Sequence, residues 1–139
     1  MQKVLILKND RVGDYYTSIS SINLILNKHK DKEIEIFLSK INYKFNFIFK
    51  NLNNKVFNYN LNIFEKIKIF FYLIVNEISD IYILAPKNFY YYLPFFFRKI
   101  KFHAVCIESE KRRPSNFLKK FLYNKEILYR NKKTKILSV

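Results

Sequence analysis

The most constraining feature of this chain is an apolar run near its amino terminus that a polar turn and then helical spacing follow. Residues 4–7 are all aliphatic, the run ends at Lys8, and the next turn contains Gly13, the only glycine in the chain. An unbroken apolar run of this length is typical of a buried strand in a parallel sheet. The turn is therefore expected at the carboxyl end of a strand, where open α/β sheets bind ligands.

The single glycine has two interpretations. One is a position where no side chain fits, because the backbone needs a positive φ or approaches another group closely. The other is a plain strand-to-helix corner in which the glycine acts as a hinge. In both cases Asp14 comes next, at the amino terminus of the predicted first helix, where free N–H groups favour a carboxylate.

The rest of the chain alternates predicted strands and helices. This order predicts an α/β fold with a doubly wound, Rossmann-like parallel sheet of about five strands, in a single domain over residues 1–139. Residues 88–101 have helical spacing, but Pro94 predicts two short pieces or a helix that begins near it. The other predicted strands cover 33–39, 55–59, 80–85 and 104–107, and the predicted helices cover 14–30, 42–51, 62–79 and a segment that begins at Pro114.

The net charge is strongly positive, at +15 from 26 basic and 11 acidic residues. Such a balance ordinarily points to nucleic acid or to an anionic membrane surface. Lysine supplies 21 of the basic residues, and the chain is also rich in Asn, Ile, Phe and Tyr, as an AT-rich genome produces without selection for binding. The distribution is more informative, because residues 98–139 hold 13 basic residues and only three acidic ones.

Several features bear on location and cofactors. The single cysteine, Cys106, excludes an intramolecular disulfide, which agrees with a reducing compartment. The longest uncharged stretch, residues 15–27, is too short and polar to span a bilayer, and the amino terminus has no signal-peptide layout. We therefore expect a cytoplasmic protein, at most peripheral at the inner face of the membrane. No spacing indicates a metal site, no cofactor is expected, His29 is interpreted as a surface residue and His103 as a packed one.

The segment around the turn resembles a known family. An apolar strand, the sequence DRVGD at residues 10–14 and a helix with a hydroxyl residue at Ser18 are similar to the amino-terminal signature of the heptosyltransferases, glycosyltransferase family 9. Ser20 stands where that family usually has proline. In the family this layout forms only the amino-terminal, acceptor-side half of a two-domain GT-B enzyme. The apolar ending at residues 135–139 looks cut, so we expect a chain that lacks the second domain and is inactive alone.

The resemblance implies a reaction and site residues. The family transfers a sugar, typically heptose, from a nucleotide-sugar donor to an anionic lipopolysaccharide-core acceptor, and its catalytic aspartate matches Asp14. A carboxylate there would take the proton of the acceptor hydroxyl, unless Asp14 only caps the first helix. Asp10 and Arg11 would orient Asp14 or contact the acceptor, or else form a surface ion pair. The candidate substrate-binding residues are Asp10, Arg11, Gly13, Ser18, Lys40, Arg98, Arg112 and Arg113.

Alternatives remain for the basic and aromatic segments. The basic residues are either phosphate or carboxylate contacts for the acceptor or a solvated face. Residues 88–103, with aromatic and basic side chains together, predict either a peripheral membrane contact or a core helix. Two other functions stay open: a nucleic-acid-binding module, which is disfavoured because its aromatics fall on core positions, and a non-catalytic module that docks on a separate carboxyl-terminal chain.

Overall fold

The residues that the structure describes form one parallel sheet with helices on both faces. The computed structural model describes residues 2–46, 49, 51–85, 87–104 and 120–122. Five strands pair in the order β3-β2-β1-β4-β5, and every pairing is parallel. The elements are β1 (Lys3–Lys8), α1 (Val12–Thr17), α2 (Ile19–Lys28), β2 (Glu33–Ser39), β3 (Asn53–Phe57), α3 (Ile63–Val75), β4 (Ile78–Ile83), α4 (Asn88–Phe96) and β5 (Lys101–Ala104).

The prediction of a doubly wound α/β fold is confirmed. The first strand is central and is covered on both faces, because Val4 to Leu7 are at most 1% exposed. Residues of β1 alternate between two cores: Leu5 and Leu7 face α3 and α4, whereas Val4 and Ile6 face α1 and α2. This double burial explains why the strand reads as a continuous apolar run rather than as an alternating one.

The predicted first helix over 14–30 is wrong in its continuity and in its start. The helical backbone begins at Val12 and is interrupted at Ser18, which separates α1 from α2. The hydroxyls of Thr17 and Ser18 each donate to the carbonyl of Asp14 at 2.9 Å. Hydroxyl side chains that bond to nearby carbonyls compete with the regular helical ladder, which accounts for the interruption.

The predicted constraint on Gly13 is wrong as well. Gly13 lies in the first turn of α1, and a Cβ built on it would meet no atom within 4 Å. Neither crowding nor a positive φ therefore requires glycine at this position.

The predicted helix over 42–51 is wrong in the residues that the structure describes, which form only a 3₁₀ turn at Tyr43–Phe45. Two asparagine amides compete with the helix. Asn42 bonds to the backbone of Ser39 and Lys8, and Asn46 donates to the carbonyl of Phe49 at 3.4 Å. Phe49 is buried but Phe45 is 40% exposed, so the apolar spacing does not form one buried helical face, and side-chain hydrogen bonds set the local conformation.

Pro94 does not divide the segment after β4, so the prediction of two pieces or of a later start is wrong. A single helix, α4, runs from Asn88 to Phe96 and includes Pro94 in its last turn. Tyr90, Tyr91, Leu93 and Pro94 are all buried. The packing of one face and the early end of the helix explain why the lost N–H is tolerated.

A buried histidine cluster corrects two further predictions. His29 is only 6% exposed, and its Nε2 lies 2.8 Å from the Tyr82 hydroxyl, so it is not a surface residue. β5 begins at Lys101 rather than at residue 104, because His103 enters the sheet with its Nε2 at 3.0 Å from the Asp80 carboxylate. The packed interpretation of His103 is confirmed, while residues 105–107 and the segment from Pro114 to 119 lie outside the described residues.

The other boundaries of β3, α3 and β4 differ from the predicted ones by a few residues. α3 ends at Val75 because Asn76 takes an extended conformation and its amide donates to the carbonyl of Tyr72 at 3.0 Å. None of the helices in the described part of the chain has the length and apolar content that a membrane span requires.

The orientation of α3 generates a prediction about stability. Ile69 lies on the inner side of α3 and is fully buried, whereas Ile74 on the outer side of the same helix is 57% exposed. Ile69→Ala should lower the free energy of unfolding by about 3 kcal/mol, since it removes buried methyl groups and leaves a cavity. The matched change Ile74→Ala should lower it by less than about 0.5 kcal/mol. Urea denaturation of both variants measures this, and equal losses would contradict the orientation.

Candidate functional site at the carboxyl edge of the sheet

The strand order reverses between β1 and β4, the two neighbours at the centre of the sheet. From β1 the chain moves to β2 through α1 and α2 on one face, and from β3 it returns to β4 through α3 on the other. In open α/β sheets the crevice outside the carboxyl ends of such strands is the usual ligand site. The segment from Asn9 to Asp14 follows β1 directly and lies at this position.

A buried ion pair joins the end of β1 to the turn after it. The Nζ of Lys8 lies 2.5 Å from Oδ2 of Asp10, and the two residues are 2% and 4% exposed. The same ammonium donates to the carbonyl of Leu84 at the end of β4, at 3.1 Å. Burial raises the pKa of Asp10 to about 6, although the Lys8 ammonium acts in the opposite direction.

Two side chains at the end of β2 and just after it hold this turn by hydrogen bonds to the backbone of the turn. The Ser39 hydroxyl donates to the carbonyl of Asp10 at 2.7 Å, and the Asn42 amide donates to the carbonyl of Lys8 at 2.7 Å. Ser39 and Asn42 also bond to each other, from the Ser39 N–H to the Asn42 side chain at 2.9 Å and from the Asn42 N–H to the Ser39 hydroxyl at 3.0 Å. Both side chains are fully buried, so each bond is made without competition from water.

Asn9 ties the same turn to β3 and α4. Its amide donates to the carbonyl of Asn58 at 3.3 Å, and its carbonyl oxygen accepts from the Tyr90 hydroxyl at 2.5 Å. Together with the bonds from Ser39, Asn42 and Lys8, these contacts attach one turn to the ends of β2, β3 and β4. The backbone that leads into α1 is therefore held from several sides.

Asp14 follows the segment that these hydrogen bonds hold, and it is exposed to solvent. It is the acidic residue in the first turn of α1, and its charge contributes to the raised pKa of Asp10. Arg11 and Gly13 are exposed beside it, and Ser18 bonds to its carbonyl. The structure thus brings Asp10, Arg11, Gly13, Asp14 and Ser18 together at the carboxyl edge.

A cationic cleft lies at the same carboxyl edge of the sheet, beyond the ends of β3 and β4. It has a volume of about 230 Å³, and its lining residues are Tyr59, Asn60, Leu61, Lys66, Lys87, Asn88 and Phe89. The Lys87 ammonium donates to the carbonyl of Tyr59 at 2.5 Å and lies 4.2 Å from the centre of its ring. The Arg11 guanidinium lies 5.7 Å from the same ring, so two cations flank this tyrosine.

The remaining candidates have different positions. Lys40 is exposed at the carboxyl end of β2, on the same edge as Asp14. Arg98 precedes β5 and lies at the opposite, amino edge, beside Asn76 and Glu77. The structure does not bring Arg98 together with Asp14, because the full length of the strands separates the two edges. Arg112 and Arg113 lie outside the described residues.

Sequence reasoning missed Lys8, Asn42, Tyr59 and Lys87. Lys8 was taken only as the end of an apolar run, although a lysine in a strand with buried neighbours requires a partner, and Asp10 follows two residues later. Asn42 comes three residues after the end of β2, and an asparagine at such a position is a signal for a turn held by its side chain. Nothing local to Tyr59 or Lys87 indicates their pairing. It depends on how the segments after β3 and β4 meet at the carboxyl edge, although β2 and β1 lie between these strands.

Comparisons of the chain with protein-family models, with curated proteins and with solved structures found no match.

The raised pKa of Asp10 generates a prediction. The carboxyl ¹³C signal of Asp10 should titrate with a midpoint near 6, well above the ordinary 3.8, because burial disfavours its ionised form. The native state then holds this proton more tightly than the unfolded chain. The contribution of Asp10 to stability is therefore full below pH 3.8 and is lost as the pH rises through about 6.

The comparison of wild type with Asp10→Asn isolates this effect, since all other titrating groups are common to both proteins. The free energy of unfolding of wild type relative to the variant should fall between about pH 4 and about pH 7. Asp31→Asn, which changes an exposed acid, is the matched control. An Asp10 midpoint at or below 3.8 would contradict the prediction.

Proposed function

We propose that this chain is the acceptor-side domain of a glycosyl-transfer reaction that uses a nucleotide-sugar donor, with Asp14 as the general base. The observation that carries the proposal is the position of Asp14, an exposed carboxylate in the first turn of α1, directly after the segment that follows the central strand of an all-parallel sheet. The resemblance of residues 10–18 to heptosyltransferases supports the same assignment. It makes a heptose donor and a lipopolysaccharide-core acceptor the proposed substrates.

The chemistry requires one base and no covalent intermediate. The acceptor hydroxyl oxygen forms a bond to the anomeric carbon as the bond from that carbon to the diphosphate oxygen breaks. The electron pair of the broken bond leaves with the nucleoside diphosphate, and the hydroxyl proton passes to the Asp14 carboxylate. Attack from the face opposite the leaving group inverts the anomeric carbon, and a positioned carboxylate contributes about 10²–10⁴-fold to such a step.

The cationic cleft supports an anionic acceptor. Arg11, Lys66 and Lys87 surround Tyr59 and Phe89 at the edge where Asp14 stands. Phosphate or carboxylate groups of an acceptor would be attracted to these cations, and arginine offers paired N–H donors to them. Lys40 extends the basic edge toward β2. We assign the acceptor to this side of the domain and the donor nucleotide to a second domain, as the resemblance implies.

The proposed location is cytoplasmic, with a peripheral contact at the inner face of the membrane, where such an acceptor would be presented. Nucleic-acid binding receives less support. Tyr15, Tyr90 and Tyr91, three tyrosines close to the candidate site, are buried and therefore unable to stack on bases, which leaves Tyr16 and the partly exposed Tyr59 as the tyrosines accessible there.

The proposal predicts a specific loss in Asp14→Asn. In a version of the chain that is complemented by or fused to a donor-binding second domain, sugar transfer from ADP-heptose to a heptose-free lipopolysaccharide core oligosaccharide, followed by mass spectrometry, should fall by about 10²–10⁴-fold in this variant. Binding of the oligosaccharide, measured by NMR titration of the chain, should be unchanged in Asp14→Asn and weakened in Arg11→Gln. Asp31→Asn, an exposed acid elsewhere, is the control for transfer.

Each readout decides one part of the proposal. Unchanged turnover in Asp14→Asn would remove Asp14 as the base. Failure of the wild-type chain to bind the oligosaccharide would remove the acceptor-side assignment, whether or not transfer requires a second domain.

A further inference from the structure

The outer face of α3 is apolar and exposed. Six side chains on this helix are between 45% and 79% exposed, and every one of them is aliphatic or aromatic. At about 100° per residue these positions fall within an arc of about 120° that contains no charged residue. They are Ile63, Phe64, Ile67, Phe71, Ile74 and Val75.

The opposite side of α3 already packs on the sheet. Ile69 and Leu73 are buried there, in the core that Leu5 and Phe37 also join. A helix that is apolar on both its inner and its outer side is normally buried on both. Contiguous exposed apolar surface of this kind marks an interaction site. We therefore interpret the outer face of α3 as an interaction surface.

The apolar surface continues onto α4. Tyr92 and Phe96 of that helix are 55% and 60% exposed. The ring of Phe96 contacts the ring of Phe70 on α3, with 5.7 Å between centroids. The two helices lie on the same face of the sheet, so they present one joint surface, which we name the α3/α4 face.

The charges around this face are mainly positive. Lys66 and Lys68 flank the apolar arc on α3, Lys55 lies on the adjacent edge strand with about half of its side chain exposed, and Arg98 follows α4. The acid on α3, Glu65, instead accepts hydrogen bonds from the Asn58 backbone and side chain, at 2.7 and 2.8 Å. An apolar stripe between lysines suits an anionic lipid surface, because the apolar side chains can enter the acyl boundary while the lysines contact the anionic headgroups.

We propose that the α3/α4 face docks on the surface of a bilayer that contains anionic lipid. A second copy of this chain fits the face less well, because self-association would bring the flanking lysines of both copies together. At 13 residues α3 is about 20 Å long, so it would lie in the plane of the interface. The inference extends the contact predicted for residues 88–103 to α3, and it does not depend on the sugar-transfer proposal.

Vesicle flotation with the full chain tests this inference. The chain should float with vesicles of phosphatidylcholine and phosphatidylglycerol, and much less with vesicles of phosphatidylcholine alone or at high salt. The double change Phe64→Gln/Phe71→Gln should weaken binding at least about tenfold, since two exposed rings lose their burial in the interface. Lys68→Gln should weaken it by about fivefold.

Leu24→Gln is the matched control, because Leu24 is 61% exposed on α2, on the other face of the sheet. It should leave vesicle binding unchanged. Far-ultraviolet circular dichroism and urea denaturation check that each variant keeps the fold, which is expected for exposed positions.

Three results would overturn the inference. The first is no flotation of the wild-type chain with anionic vesicles. The second is equal loss of binding in Leu24→Gln and in Phe64→Gln/Phe71→Gln. The third is a dimer in sedimentation velocity that does not bind vesicles and that the Phe64→Gln/Phe71→Gln change dissociates, which would identify a second copy as the occupant.

Discussion

The buried pair of Lys8 and Asp10 is the interaction on which the candidate site depends. Moving two charges out of water costs several kcal/mol per ion, and only their close contact and further hydrogen bonds offset it. Removal of one partner from such a pair typically costs about 3–5 kcal/mol. The pair fixes the end of β1 relative to β4, because the Lys8 ammonium also bonds to Leu84. These contacts anchor the residues that lead into α1, the helix that carries Asp14.

The same pair determines where a ligand can bind. The Lys8 ammonium lies between the carboxyl ends of β1 and β4, the position that many open α/β sheets leave for a ligand. Space at this edge is found instead beside Tyr59 and Lys87, at the ends of β3 and β4. A substrate in that cleft would approach Asp14 past Arg11, which flanks the same tyrosine.

Two buried carboxylates in this sheet respond to burial in opposite ways. Burial raises the pKa of Asp10, whereas hydrogen bonds from His103 and Ser79 outweigh burial and hold the pKa of Asp80 well below its ordinary value. Asp80 contributes stability above its ordinary pKa and loses that contribution as the pH falls, the reverse of Asp10. The two residues are almost equally buried, at 4% and 5% exposed, so the difference follows from their partners. Asp80 accepts hydrogen bonds from Ser79 and His103 and lies 3.5 Å from the Lys32 ammonium, whereas the Lys8 ammonium at Asp10 is partly opposed by the like charge of Asp14.

The sequence was sufficient for the strands and the layer order but not for the polar details. A continuous apolar run such as residues 4–7 has one favourable environment, the centre of a parallel sheet, so β1 and the fold class were predictable. The 3₁₀ turn after Asn42 depends on a side-chain hydrogen bond to Lys8, 34 positions away, whose partner only the fold supplies. The break at Ser18 depends on a local hydroxyl bond to the Asp14 carbonyl, which the helical spacing of apolar residues does not report. His29 was misjudged for the same reason, because the Tyr82 hydroxyl that accommodates it lies 53 positions away.

The two proposals, although independent, are geometrically compatible. α3 follows β3 and precedes β4, so it runs antiparallel to the strands, and Ile63 at its start lies near the carboxyl edge. With α3 flat on a bilayer, the strands would lie parallel to the membrane plane and the carboxyl edge would open sideways along it. Asp14 belongs to the helix layer on the far side of the sheet. One sheet and one helix layer would place it about 10–20 Å above the lipid surface, the height of sugars that extend from a lipid rather than of its acyl chains.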